Sequence, residues 1–233
     1  LIGFFMQTNL GFAGTTGSEE LKNSDRKNSA NECFEGVSRA MFKLNHGLDK
    51  AIFRPVAKGY RALPVPVRKA TGNVTSNLRS LLTITNNILQ GDFRHAANTA
   101  GRFVVNTTVG VFGIFDPATK MGLENHGKED FGQTLGVWGS GSGCYFVLPI
   151  LGPTTTRDVV GLVGNWYLDP VYQITHNTEI SNGVVGNGNY SEHNFYYYRG
   201  TSAVDFRSKN IESFDSLEKN SIDLYASIKS LYL

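Results

Sequence analysis

The chain has 233 residues, enough for one sizeable core or two small ones. Its 22 Lys and Arg stand against 20 Asp and Glu, and a net charge of +2 excludes a polyelectrolyte binder acting through the whole surface. Charge is distributed unevenly: from Gly36 to Ala70 eight basic residues face Asp49 alone, a surface that lipid phosphates, nucleic acid or water would satisfy.

Residues 1–14 have the apolar run and small-residue end of a secretory signal, and read as a signal-peptide remnant rather than a buried N-terminal segment. Residues 15–32 are polar and read as a disordered tether. No apolar run reaches the roughly 18–20 residues that span a bilayer. The remainder, 33–233, reads as a single helical domain. Phe34, Val37, Met41, Leu44, Leu48 and Ile52 recur at steps of three and four, one apolar stripe along a helix ended by Arg54-Pro55, with Pro55 suited to open the next turn. From Pro66 a second helix runs through Leu78, Leu81 and Leu82 to the Gln90-Gly91 stop. Asp92 caps a third, carrying Ala96, Ala100 and Phe103.

Two stretches dense in glycine and bulky apolar residues follow, Val109 to Pro117 and Asp130 to Asp158. A flexible spacer would place Ser, Gln or charge between its glycines. Gly132, Gly136, Gly139, Gly141 and Gly143 are therefore read as loop glycines that bring backbone close to something packed. Thr154 to Thr156 offer a cap for a helix that breaks at Asp169-Pro170. Residues 176–200 lose periodicity and read as a loop or insertion with an aromatic patch, Phe195 to Tyr198. A last helix is expected from about Thr201 to Leu231. No alternating strand pattern emerges, so the fold class is mainly α.

Chemistry is sparse. Neither Ser140 nor Ser142 has glycine at both flanking positions of a nucleophile elbow. The Gly136 to Gly143 spacing lacks the Lys-Ser/Thr of a phosphate loop and the βαβ context of a dinucleotide fold. The five histidines form no i, i+4 pair, and Cys33 and Cys144 have no zinc spacing. No catalytic residue, metal site or cofactor is expected. Phe42 and Phe53 sit where a helix would bury them, which argues against a nucleic-acid stacking platform. Amphipathic helices lying in a membrane head-group plane suit the basic stretch better, while an ordinary helical core remains the plainer alternative.

Many ordered runs match one family. They include Phe34-Glu35-Gly36-Val37-Ser38-Arg39-Ala40-Met41-Phe42-Lys43-Leu44-Asn45, Arg54-Pro55-Val56-Ala57-Lys58-Gly59-Tyr60-Arg61, and Ser76-Asn77-Leu78-Arg79. Gly101-Arg102-Phe103-Val104-Val105-Asn106-Thr107-Thr108, Phe115-Asp116-Pro117-Ala118, Asp130 to Gly139 and Asn220 to Ala226 continue the match. On these the chain resembles the MlaA family, also called VacJ, of outer-membrane phospholipid-transport lipoproteins. The resemblance implies a ring-like bundle of amphipathic helices in the inner leaflet of the Gram-negative outer membrane, surrounding a conduit. It would remove mislocalised phospholipid from the outer leaflet, beside a porin trimer, and pass it to a periplasmic carrier, without catalysis. Leu10 to Gly14 hold no lipobox cysteine, which departs from the family. Cys33 and Cys144 stand where the family often has proline, and either a disulfide or two buried thiols would fit there.

Under that resemblance Arg39, Asn45, Arg61 and Arg157 are head-group candidates, each also a plausible surface ion-pair or polar residue. Phe131, Trp138, Tyr145 and Phe146 are candidates for channel lining or membrane contact, with core packing as the alternative. Two other readings stay open, a soluble periplasmic lipid or acyl carrier and a structural or adhesive surface protein.

Overall fold

The computed structural model describes residues 32–176 and 193–233. The signal remnant 1–14, nearly all of the tether and most of the 176–200 segment lie outside the described residues. Helix α1 spans Glu35–Leu48 and continues through a π-helical segment, Asp49–Phe53, into α2, Arg54–Arg61. The helical run does not stop at Arg54-Pro55 as expected: the backbone stays right-handed helical through Phe53 and Arg54, and Pro55 falls in the first turn after the π-helical segment. Helix α3 (Val65–Leu89) and α4 (Phe93–Thr108) form an antiparallel pair, and Asp92 caps α4 by accepting from the His95 amide at 3.0 Å. A short α5, Pro117–Lys120, and α6, Phe131–Val137, follow.

A β-hairpin stands where no strand was expected. Strands β1 (Tyr145–Leu148) and β2 (Gly152–Thr155) pair antiparallel, Tyr145 opposite Thr155 and Leu148 opposite Gly152. All four residues of β2 are buried, so the strand has no alternation to read. Then come α7 (Thr156–Leu168), α8 (Pro170–His176), α9 (His193–Lys209), α10 (Ile211–Asn220) and α11 (Leu224–Tyr232). The aromatic patch expected in a loop begins α9, burying Phe195 and Tyr198 and exposing Tyr196 and Tyr197. The single last helix is three, the final one capped by Asp223, which accepts from the Ala226 amide.

The hairpin ties α1 to α11. Tyr145, Val147 and Tyr225 form a buried cluster with Met41, Phe42 and Tyr232 against it. Cys33 and Cys144 are joined in a disulfide, with Cα atoms 5.6 Å apart. Beside it Glu32 accepts from Lys229 Nζ at 2.5 Å and from the Tyr225 hydroxyl.

The distribution of polarity is inverted. Among the described residues 12 hydrophobic side chains are buried against 17 polar or charged ones. Ordinary cores lean the other way, so the polar groups must face one another or a polar space. The α1 stripe read from periodicity is mostly not core: Phe34, Val37, Leu44 and Ile52 are exposed, Met41 and Leu48 are half-buried, and Ser38 beside the stripe is buried.

Candidate site: a polar cavity among apolar-faced helices

The inner faces of α3, α4 and α9, with the loop around residues 116–128, surround a polar cavity of about 360 Å³. Small polar residues make this possible. Asn77 and Thr83 of α3 and Thr99 and Asn106 of α4 carry hydrogen-bonding groups inward at helical spacing where leucines would have closed the gap. Their donors are used locally, Asn77 Nδ2 donating to Thr107 Oγ1 at 2.9 Å and Asn106 Nδ2 to Asp116 Oδ1 at 3.0 Å, while Asn77 Oδ1 is buried without a partner.

Five cations line this space, Arg79, Arg102, Lys128, Arg199 and Lys209, against two carboxylates, Asp116 and Asp205. Arg102 is spent on structure, its Nη2 bonding both Asp116 oxygens at 3.1 and 3.0 Å and its Nη1 the Thr119 hydroxyl at 3.1 Å. Lys209 pairs with Asp205 at 2.6 Å. Arg79 and Lys128 have no ion-pair partner among the described residues, and Arg79 Nε is buried without a hydrogen bond. Burial lowers the pKa of both, and the Arg79 charge lowers that of Lys128 further, to about 8. Burial raises the Asp169 carboxyl, which accepts from the Val171 amide at 3.0 Å.

A second, largely apolar chamber of about 390 Å³ is lined by Leu148, Leu151, Leu162, Trp166 and Tyr172, and Arg199 belongs to the walls of both spaces. Outside, the loop 109–115 turns its apolar side chains outward, with Phe112 and Phe115 exposed. Val111 and Phe112 hold φ of 53° and 56°, a left-handed conformation costly for such residues. The Phe112 and Gly113 amides lock it by donating to the Thr107 and Asn106 carbonyls at 2.9 and 2.8 Å. Among the described residues no helix is long and apolar enough to cross a membrane.

None of the four head-group candidates lines the polar cavity. Arg39 pairs with Glu35 and Asp223 over the Tyr225 ring. Asn45 holds the hairpin turn, donating to the Leu148 carbonyl at 2.7 Å and accepting from the Ile150 amide at 2.6 Å. Arg61 pairs with Glu212. Arg157 bonds Asp158 at 3.3 Å, its guanidinium lying against Gly136. Of the aromatic candidates, Tyr145 is fully buried in the hairpin cluster and Phe146 is half-buried. Phe131 meets Trp138 edge to face at 5.8 Å, and Trp138 is exposed while its indole donates to the Leu89 carbonyl at 3.0 Å.

The glycines expected in one loop divide by role. Gly132 and Gly136 belong to α6, and Gly132 meets Gly161 of α7 so closely that a Cβ on Gly161 would stand 2.5 Å from Gly132 backbone. Gly139 and Gly143 hold φ of +91° and +71°, while Gly141 has open space around it. The residues missed as site candidates, Arg79 and Lys128, had only a weak signal. Arg79 lies in a family-like run, and Lys128 lies in an unpatterned polar loop.

Fold and site together define a mainly helical protein with a polar interior, a net-positive cavity and apolar outer faces. The MlaA lipoprotein family model matches residues 30–233, and the chain belongs to that family. It is 34% identical to an uncharacterized protein of Rickettsia bellii (strain RML369-C) over 91% of this chain and 80% of the relative. It is 28% identical to the intermembrane phospholipid transport system lipoprotein MlaA of Haemophilus influenzae (strain ATCC 51907 / DSM 11121 / KW20 / Rd), over 93% of this chain and 82% of the relative. A solved chain from work on the structural basis for maintenance of bacterial outer membrane lipid asymmetry is similar with a TM-score of 0.70 and 29% identity, covering 87% of this chain and 95% of that one.

Proposed function

We propose that the chain is a phospholipid conduit of the outer membrane, which takes mislocalised phospholipid from the outer leaflet and releases it towards the periplasm. The observation that carries this reading is the inverted polarity: a net-positive polar cavity inside helices whose outer faces are apolar. In water such faces would be a liability; against lipid tails they lower the free energy of the bound state at about 25 cal/mol per Å² of apolar area covered. A lipid crossing such a body needs a polar environment for its head group and an apolar one for its chains. The cavity and the chamber that meet at Arg199 supply the two side by side. The relatives named as phospholipid transport lipoproteins support the same substrate.

In this mechanism no bond is made or broken, and selectivity comes from solvation along the path. Attachment in the inner leaflet, export to the periplasmic side, a porin trimer as neighbour and a soluble carrier as acceptor complete the proposal. The test is depletion of the protein from its host. Surface-accessible phospholipid, read with an added phospholipase, rises on depletion and returns on re-expression; unchanged accessibility in depleted cells counts against transport.

A further inference from the structure

We propose that Arg79 and Lys128 form the seat for the phosphate group of the transported lipid, within a passage whose apolar chamber takes the chains. The inference rests on the conduit reading and adds the residues that recognise the cargo.

The chain pairs two of the five cavity cations with its own carboxylates. Arg102 is held by Asp116 and the Thr119 hydroxyl, and Lys209 by Asp205. Arg79 and Lys128 have no such partner among the described residues, although they are close enough for the Arg79 charge to act on Lys128. Asp130 and Asp169 act on Arg79 through space, but both are committed to helix starts, accepting from the Gln133 and Val171 amides at 3.0 Å. Two neighbouring cations withdrawn from bulk water and left unneutralised destabilise the fold. An anion bound between them removes that cost.

The chemistry of the pair favours phosphate. A guanidinium offers a planar fork of donors and an ammonium a mobile point charge, a combination that engages two phosphate oxygens at once. The surrounding Asn and Thr side chains can bond the remaining polar atoms of a head group. What distinguishes a lipid from free phosphate is the neighbouring space. Arg199 forms part of the polar wall and of the apolar chamber lined by Leu162 and Trp166, so a phosphate in the cavity has room for acyl chains next to it.

The test uses the full chain in detergent micelles, titrated with dioctanoyl-phosphatidylglycerol, with dioctanoylglycerol of the same chains, and with inorganic phosphate. The wild type binds the phospholipid about tenfold or more tighter than the neutral lipid, as charge-assisted hydrogen bonds allow. In R79Q/K128Q the preference falls to near one while dioctanoylglycerol affinity holds, and in R79K/K128R, which keeps both charges, the preference returns. Thermal unfolding of R79Q/K128Q at or above the wild-type temperature confirms that the lost preference is not lost folding. Full preference in R79Q/K128Q overturns the seat and leaves the conduit standing. A wild type that binds neither lipid overturns both. Binding of inorganic phosphate without any preference between the lipids assigns the pair to a soluble anion and overturns the head-group role.

Discussion

Arg54 of α2 donates to Asp215 of α10, 161 positions further along the chain. The pair is one rung of three. Lys50 meets Glu218 and Arg61 meets Glu212, so carboxylates three residues apart on α10 face cations on the first helices. The basic stretch from Gly36 to Ala70 is therefore partly closed by the protein's own acid and is not an open lipid-phosphate surface. Replacing Glu212, Asp215 and Glu218 together by Gln should leave the chain folded, since the Lys50 and Arg61 pairs are largely exposed and contribute little, with most of the loss coming from the part-buried Arg54–Asp215 pair. It should strengthen cosedimentation with anionic vesicles and make it salt-sensitive. Wild-type association, carried by the apolar faces, should withstand added salt.

Asp49 and Arg207 form a different kind of pair. Arg207 is buried, and two bonds of 2.7 Å join its guanidinium to both Asp49 oxygens. Asp49→Asn leaves a buried cation without its counter-charge and should destabilise the fold by about 3 kcal/mol. Chemical denaturation checks this, with Glu218→Gln as the near-neutral comparison.

Gly161→Ala should be among the most damaging small changes. Its new methyl would meet Gly132 backbone, which cannot rotate away, and overpacking of this kind costs about 1–3 kcal/mol. Gly141→Val, with nothing within 4 Å, should fold normally. Melting temperatures of the two variants separate close packing of α6 on α7 from any requirement for glycine at 141.

The disulfide between Cys33 and Cys144 closes a span of 111 residues. Cys33→Ser, or reduction, should cost about 2–5 kcal/mol by releasing the unfolded chain from that constraint. A drop in melting temperature under reductant, absent in Cys33→Ser, checks it.

Lys128 gives a pH dependence with a defined sign. Burial is the main cause of its fall from 10.5 to about 8, helped by Arg79 and Lys209 and opposed by Asp205. The folded state thus holds this proton more weakly than the unfolded state. The stability penalty is fully present below about pH 8 and is relieved as pH rises from there towards 10.5. Phospholipid affinity should run the opposite way, weakening as Lys128 loses its charge. Lipid titrations and melting curves at pH 7 and pH 9 measure the two trends, and Lys128→Gln should flatten both.

The sequence alone determined the helical class and the starts of α1 to α4 and α7. Capping is local, so Asp92 and Thr155 mark their helices within three residues, accepting from the His95 and Asp158 amides. The head-group candidates Arg39, Asn45 and Arg61 show the limit of local pattern, which cannot say that the two arginines meet carboxylates, and Asn45 a carbonyl, more than a hundred positions away. Strand β2 was hidden because burial on every residue removes alternation, and the final helices were merged because their apolar steps continue across Asn210 and Asp223. The direction of the apolar stripe was likewise undetermined: periodicity fixes that Phe34, Val37 and Leu44 share a face, not whether that face turns inward. Only tertiary structure decided that it turns outward, and that Asn77, Arg79, Arg102 and Lys128 meet around one space. The physical reason is range: hydrogen bonds at helix ends act over one turn, whereas a cavity is the joint result of three helices and a loop brought together by folding.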